Sequence, residues 1–371
     1  MMNRRNSLLT LSLAVLLSAI SCDREAKDTS RTTIPFVTEI IEDKSNAWNT
    51  MLSGTWSDPQ GDICIIGAEK EVRDLAEILA ESDVRDNIDA TAGTDRLYDF
   101  AGETFVCIAD TLNHPYSRFV EAGKEDALRE VTVRLVLNAV DTVAHISPFD
   151  ENGLGIKNRA KLIILADPYL SMYGESDADS LLRSFGCGIP VLSPIDIAYN
   201  KVLSSGKASM TVGVICDKET AASSVHSGKL REAAKKRGIS ADCVVFPASQ
   251  ENTDAIRDFL DRYISVGFEK PLDAIIIDDY DVDMEEAKTN LANLISLMNE
   301  ESMTYRKYIS DGFLFLSTGS SAVEYCYDFL RINNLFTHNI SQPEISVYYT
   351  CPGYGEKEGE LVLISDSYVQ N

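Results

Sequence analysis

Cys22 is the first residue whose type and setting point to a reaction. It follows Ala19-Ile20-Ser21, and the stretch from Ser7 to Ser21 is uncharged and Leu-rich behind Arg4 and Arg5. A positive start, a short apolar stretch and small residues before a cysteine make a secretory signal, too short and wrongly flanked to span a bilayer. The tail resembles a lipobox, with Ala19 where Leu is usual. The expected chemistry is transfer of a diacylglyceryl group to the Cys22 thiol, which then becomes the mature N-terminus. Plain signal-peptide cleavage is the alternative. A cysteine carrying more than one acyl chain would anchor stably.

Carboxylates are the second chemically suggestive group. Asp167-Pro168-Tyr169 follows the apolar run Lys161 to Ala166, and Asp278-Asp279-Tyr280-Asp281-Val282-Asp283 follows Asp273 to Ile277. A carboxyl group works as an acid or base near neutral pH only when a dry or like-charged setting raises its pKa. Both segments also have plainer readings. Asp-Pro favours a tight turn after a strand. The Asp-rich run resembles a cation loop, yet it lacks the Gly that an EF-hand needs at its sixth position. Asp283 with Glu286 fits a helix-capping pair. No metal and no cofactor is expected. His114, His145, His226 and His338 are scattered, and His114 and His226 read as surface or supporting residues rather than catalysts. Beyond Cys22, Cys64, Cys107, Cys216 and Cys243 sit inside apolar, strand-like runs, where a free thiol behaves as a small hydrophobe. No Cys/His spacing suggests zinc, and no disulfide framework is indicated.

The elements that must carry these residues follow from apolar periodicity. Short apolar runs alternate with amphipathic stretches, which predicts a parallel α/β architecture. Gly61 to Gly67 reads as a buried strand, and Val72, Leu75, Ala76, Ile78 and Leu79 keep helical spacing. Thr104 to Ala109, Lys161 to Ala166 and Ile189 to Leu192 are further strands, with a long helix near Glu125 to Val140. A second βα series runs through Thr211 to Cys216, a helix near Gly228 to Arg237, Cys243 to Phe246, a helix over Ala255 to Tyr263, and Asp273 to Ile277. Leu314 to Leu316, Ile345 to Tyr349 and Leu361 to Ile364 close the chain. Ser204-Ser205-Gly206-Lys207 is the expected hinge. The expected organisation is a signal over 1–21, a lipid-anchored tether over 22–50, a first α/β domain from 51–206 plus 312–371, and a second from 207–311. Within the tether, Asp23 to Ser30 is polar, and the apolar body begins at about Ile34. Ligands of open α/β sheets bind beyond the C-terminal ends of the strands, so chemistry is sought there.

The formal charge of the 371-residue chain is −24 at pH 7. So acidic a surface repels phosphate backbones, and nucleic acid is excluded as an expected partner.

The order of motifs resembles the aspartate/glutamate racemase family, and glutamate racemase most. Ala109-Asp110-Thr111-Leu112-Asn113-His114-Pro115-Tyr116-Ser117 is similar, without gaps, to the family's Gly-Asp-Thr-x-x-x-Pro-Tyr-Gly, matching at Asp110, Thr111, Pro115 and Tyr116. Gly188-Ile189-Pro190-Val191-Leu192 resembles the family's Ile-Pro-Val strand. Val212-Gly213-Val214-Ile215 with Thr220 and Ser223 resembles Ile-Gly-Val-x followed by Thr-x-x-Ser. Leu316-Ser317-Thr318-Gly319 and Ser346-Val347-Tyr348-Tyr349-Thr350 resemble Val-Asp-Ser-Gly and the closing Phe-Tyr-Thr-Thr. The likeness covers nearly all of Ile63 to Thr350. It implies two Rossmann-like parallel-sheet domains facing each other across a cleft.

By the same resemblance, the two catalytic cysteines are replaced. The first falls on Asp167, with Pro168 and Tyr169 after it. The second falls on Asp279, or on Asp278 with a one-residue slip, and Tyr280 and Asp281 follow. The family's early Asp-Ser becomes Gly67-Ala68. Racemisation needs one base to take the α-proton and an acid to return it from the opposite face, work suited to tunable thiolates. The expectation is therefore a catalytically degenerate, racemase-like lipoprotein of the bacterial cell envelope, periplasmic or surface-exposed. Its small ligand, for which a cation fits the acidic residues, is expected at Gly67, Asp110, Pro115, Tyr116, Asp167, Tyr169, Thr220, Asp279 and Tyr280. Two alternatives stand beside it. One is an active isomerase or lyase using Asp167 and Asp279 as an acid/base pair. The other is a receptor resembling type I periplasmic binding proteins.

Overall fold

The computed structural model describes residues 31–145, 157–248, 254–300, 305–353 and 360–366. The signal and Cys22 lie outside the described residues. Ile34–Asn371 forms one compact unit.

Two helices open it, α1 (Pro35–Glu42) and α2 (Ala47–Ser53). Ile34, Val37, Ile40 and Leu52 are all buried in the first core. The core thus takes in residues from Ile34 onward, inside the stretch expected as tether. The apolar residues at helical spacing outweigh the polar ones between them once a core is there to receive them.

The strands are β1 (Asp62–Gly67), β2 (Thr104–Ala109), β3 (Ala160–Leu165), β4 (Val191–Leu192), β5 (Ser209–Cys216), β6 (Ser240–Pro247), β7 (Leu272–Asp278), β8 (Ile309–Ser317), β9 (Glu344–Pro352) and β10 (Leu361–Ser365). They form a six-stranded sheet of order β10-β9-β2-β1-β3-β4 and a four-stranded sheet of order β6-β5-β7-β8. Every pairing is parallel except that of β9 with β10. β1 is buried along its whole length, as a central strand covered on both faces must be. Its side chains alternate, with Cys64 and Ile66 in one apolar cluster and Ile63 and Ile65 in the other. The second sheet divides likewise, with Ile275 and Ile277 in one cluster and Ala274 and Ile276 in the other.

Helices cover both sheets: α3 (Glu69–Ala80), α4 (Ser117–Glu121), α5 (Glu125–Val140), α6 (Pro168–Tyr173), α7 (Glu175–Ser184), α8 (Pro194–Leu203), α9 (Lys218–Ala221), α10 (Val225–Arg237), α11 (Ala255–Ser265), α12 (Met284–Glu300) and α13 (Thr318–Ile332). α10 ends at Gly238, whose φ of 68° is the left-handed cap that favours glycine. Among the described residues, no helix is long and apolar enough to cross a membrane.

The chain passes between the sheets twice. The Ser204–Lys207 connection leads from α8 into β5, and Lys207 Nζ bonds Asp273 at 2.6 Å. β8 runs to Ser317, so the second sheet extends past residue 311 and the return begins with α13. Ser317 caps that helix, accepting from Ser320 N at 3.0 Å.

Lys229 joins the two layers. Its ammonium, on α10, reaches Asp196 at 2.5 Å, Glu175 at 3.1 Å and the Ser171 carbonyl at 3.2 Å. Its partners sit on α6, α7 and α8, and the group is buried. Burial pushes the Glu175 carboxyl up to about 7 even with the ammonium beside it.

Candidate functional site

Register brings the strand ends together. Gly67 pairs with Ala109, and Ala166 N donates to Ile66 O at 2.8 Å, so Asp167 emerges beside Gly67. A Cβ on Gly67 would lie 3.4 Å from Ala166 Cβ and 3.5 Å from both Asp167 N and Glu71 Oε2. In the second sheet Cys216 pairs with Asp278, so Asp217 leaves β5 one residue beyond the level of Asp278. The carboxyl groups of Glu71, Asp167, Asp217 and Asp278 act on one another electrostatically across the two sheets.

Local structure explains each placement. Asp167 is the N-cap of α6 and accepts from Tyr169 N at 2.7 Å, while Pro168 starts the helix at the position where its missing N–H costs nothing. Asp217 caps α9, accepting from Glu219 N at 2.8 Å and Thr220 N at 3.0 Å. It is exposed and forms the rim, whereas Asp167 and the Asp278 side chain are buried. Glu71 reaches in from the first turn of α3, and its Oε2 is buried without a hydrogen-bond partner.

Burial dominates the titration of these groups. It pushes Asp167 up to about 7 against the hydrogen bonds from the Tyr169 and Leu170 amides. It pushes Asp278 to about 7 as well, opposed by the Thr318 hydroxyl and aided by Asp217 and Asp279. Glu71 is raised well above the usual carboxylate range by burial and then by Asp167, Asp217 and Asp278. Like charges in a dry site cannot all ionise, so protons are shared among them near neutral pH.

The residues expected from the sequence divide into three groups. Asp167, Tyr169, Tyr280 and the end of β1 at Gly67 meet at the cluster. Tyr169 is buried, and its phenol lies beside Ser223, Glu219 and Asp167, reaching the second layer. The Tyr280 hydroxyl is buried with no hydrogen bond of acceptable geometry, next to the Thr318 side chain.

Asp110 and its neighbours form a structural brace. Asp110 Oδ1 accepts from Thr350 Oγ1 at 2.7 Å, Asn113 Nδ2 at 3.0 Å and Asn113 N at 3.2 Å, and Oδ2 accepts from Tyr116 at 3.1 Å. Those bonds occupy the carboxylate with its own chain and tie the turn after β2 to β9. Pro115 is exposed on that turn. Tyr116 is buried, and Asp110 and Asp167 both raise its phenol well above the ordinary range after burial. Thr220 is buried on α9, where its amide meets Asp217.

Asp279 faces another way than Asp278. Its Oδ1 accepts from Asp281 N at 3.0 Å, and burial raises its pKa, helped by the charges of Asp281 and Asp217 and opposed by that amide bond and by Lys70. Lys70 in turn bonds Asp281 and Asp74 at the exposed rim. Of the two neighbours, it is Asp278 that acts on Asp167, together with Asp217. Strand periodicity decides this, because a one-residue step reverses the side-chain direction.

His226, expected at the surface or in support, is 1% exposed and stands with Nε2 3.4 Å from Asp278 Oδ2. Burial depresses its pKa to about 4, so the imidazole is neutral and the contact is no ion pair over the neutral range. Its Nδ1 lies 3.2 Å from the Tyr199 hydroxyl. Glu71 and Asp217 are the residues that sequence reasoning missed. Asp217 follows a strand directly and obeys the strand-end rule, whereas no pattern singled out Glu71.

Thiol chemistry is weakly supplied. Cys64, Cys107, Cys243 and Cys326 have pKa values pushed up to about 12, chiefly by burial. Such thiols hold their protons and are poor nucleophiles and poor bases. Two surface grooves lie away from the cluster. One of about 740 Å³ runs beside Arg231, Asp242 and Lys270, and one of about 370 Å³ runs between α8 and α13 beside Asp196 and Glu324. Neither is lined by a buried, unpaired polar atom of the kind found on Glu71, His226 and Tyr280.

No protein-family model matches the sequence, and no curated protein matches it either. Among solved structures, the glutamate racemase of Francisella tularensis, crystallised with D-glutamate, is 15% identical over 79% of this chain and 89% of its own, with a TM-score of 0.47. A glutamate racemase of Bacillus anthracis is 12% identical over 79% and 90%, also at 0.47. That of Aquifex pyrophilus is 14% identical over 78% and 89%, at 0.41. The chain is similar to glutamate racemases of solved structure.

Proposed function

We propose that this protein is a lipid-anchored envelope protein that binds a small ligand between its two sheets and does not racemise amino acids. The observation that carries the reading is the meeting of Glu71, Asp167 and Asp278 at the strand ends, with buried polar atoms on Glu71, His226 and Tyr280 left unpaired. An unpaired buried polar atom costs about 1–3 kcal/mol, and a ligand that bonds it recovers that cost. The motif order of the aspartate/glutamate racemases, with Asp at the positions of their thiols, supports a scaffold kept without its reacting groups. Ligand binding to the folded state alone raises its stability by mass action.

The test is a thermal-shift screen over amines, amino acids, sugars and small acids. A stabilising compound whose effect weakens in Asp167→Ala supports the site, and the lack of any such compound removes it.

A second reading has its own observation. Asp167 and Asp278 are both raised to about 7, the range that suits general acid and base work. Under it, a compound found in the screen would exchange carbon-bound hydrogen with D2O in the wild type and not in Asp278→Asn.

A further inference from the structure

We propose that the ligand held between the two sheets is a primary ammonium cation, received by Glu71, Asp167 and Asp278. This rests on the ligand-binding reading above and names the chemistry of its occupant. Two strand ends and the first turn of α3 bring these carboxyl groups within electrostatic reach of one another. Asp167 is placed beside Gly67 by the bond from Ala166 N to Ile66 O, and Asp278 is placed by its pairing with Cys216.

The groups facing the acids leave a cation wanting. Around Asp167 stand Glu71 on α3, Asp217 after β5, Asp278 on β7, and the phenols of Tyr116, Tyr169 and Tyr280. Around Asp278 stand Asp217, Asp279, the Thr318 hydroxyl and the neutral His226 imidazole. Lys70 stays at the exposed rim, paired with Asp74 and Asp281.

The unpaired atoms fit a donor-rich head. Glu71 Oε2, Tyr280 Oη and His226 Nε2 are buried without hydrogen-bond partners, and each can accept a proton donor. His226, 1% exposed and directed at Asp278, points into the cluster from the second layer. An ammonium group carries three N–H donors and no acceptor, which suits carboxyl groups that have no cation beside them and phenol and imidazole groups that can turn a lone pair to it. Tyrosine faces beside it add cation–π attraction. A metal ion fits less well, because no group of three or more His, Cys, Asp or Glu side chains among the described residues could hold one. Calcium and magnesium require several oxygens at short, fixed distances.

An arriving ammonium replaces the protons shared by the acids, so binding releases protons and tightens as pH rises. Calorimetric titration of the purified full chain with methylammonium and putrescine, in phosphate and in MOPS (which carries no primary amine) at pH 6, 7 and 8, measures this. The expected result is one site per chain and a heat that differs between buffers. The affinity should tighten about tenfold per pH unit for each proton released. Glu71→Gln and Asp278→Asn should each weaken binding at least about tenfold, the scale of one lost charged contact. Glucose, glutamate, K⁺ and Ca²⁺ are titrated alongside. If one of those binds in an Asp167-dependent way and the amines do not, the ammonium assignment falls while the ligand-binding reading stands. Amine heats independent of buffer and pH also overturn it. If no compound of any charge binds, both readings fall together.

Discussion

His226 and Asp278 face each other across the second layer, Nε2 to Oδ2 at 3.4 Å, and at neutral pH the imidazole is uncharged. An ordinary His–Asp contact at that distance would be an ion pair. Here burial pushes the histidine down to about 4 and the aspartate up to about 7, which favours the uncharged form of each. The pair belongs to a site where charge is costly, and its neighbours Glu71 and Asp167 share that cost.

That cost has a sign that stability measurements can read. Asp167 and Asp278 are raised in the folded state from the ordinary 3.8 to about 7. The folded state therefore binds protons that the unfolded chain has lost. The stabilising contribution is complete below about pH 4 and is lost as pH rises through about 7. Asp278→Asn should gain a few degrees in Tm over the wild type at pH 8, and the gain should shrink toward pH 5. Thermal melts at both pH values check this, and an equal shift at both would show that titration is not the cause.

Lys229 offers a test of how the layers are joined. Removing its ammonium leaves Asp196 and Glu175 facing each other without a cation. Breaking a buried pair from one side costs about 3–5 kcal/mol, less whatever Glu175 recovers by taking a proton. Urea unfolding of Lys229→Met should show most of that loss, and adding Glu175→Gln should restore part of it. A loss below about 0.5 kcal/mol, typical of an exposed pair, would mean that the contact does not join the layers.

Amino-acid racemisation should be absent. On the proposal that Asp167 and Asp279 (or, with a one-residue slip, Asp278) stand where the racemases have thiolates, the purified protein should incorporate no solvent deuterium at the α-carbon of aspartate or glutamate above background. Proton NMR in D2O detects it. Incorporation that vanishes in Asp167→Asn would establish an active racemase.

Anchoring rests on the sequence around Cys22. Cys22→Ala should release the protein from the membrane fraction and abolish labelling with radioactive fatty acid. An unlabelled wild type whose mutant remains with the membrane would exclude the lipoprotein reading.

By itself, the sequence determined the order of the strands, because apolar runs such as Ile63 to Ile66 and Ala274 to Ile277 have no stable place except a doubly covered strand. It also pointed to strand ends as the place for chemistry, and Asp167, Tyr169 and Tyr280 are there. Folding alone decided which way each side chain faces. Asp278 and Asp279 are adjacent carboxylates with equal claims in sequence, yet the pleat turns one into the buried cluster and the other toward Asp281 and Lys70. Asp110 carries the best-matching motif, but its oxygens are spent on Asn113 and Tyr116 in its own turn and on Thr350, a bond that depends on β9 arriving from more than two hundred residues away. Glu71 and His226 read as ordinary helix residues until the two layers close over them. Burial then changes their protonation, and burial is a property of the packed chain that no local pattern carries.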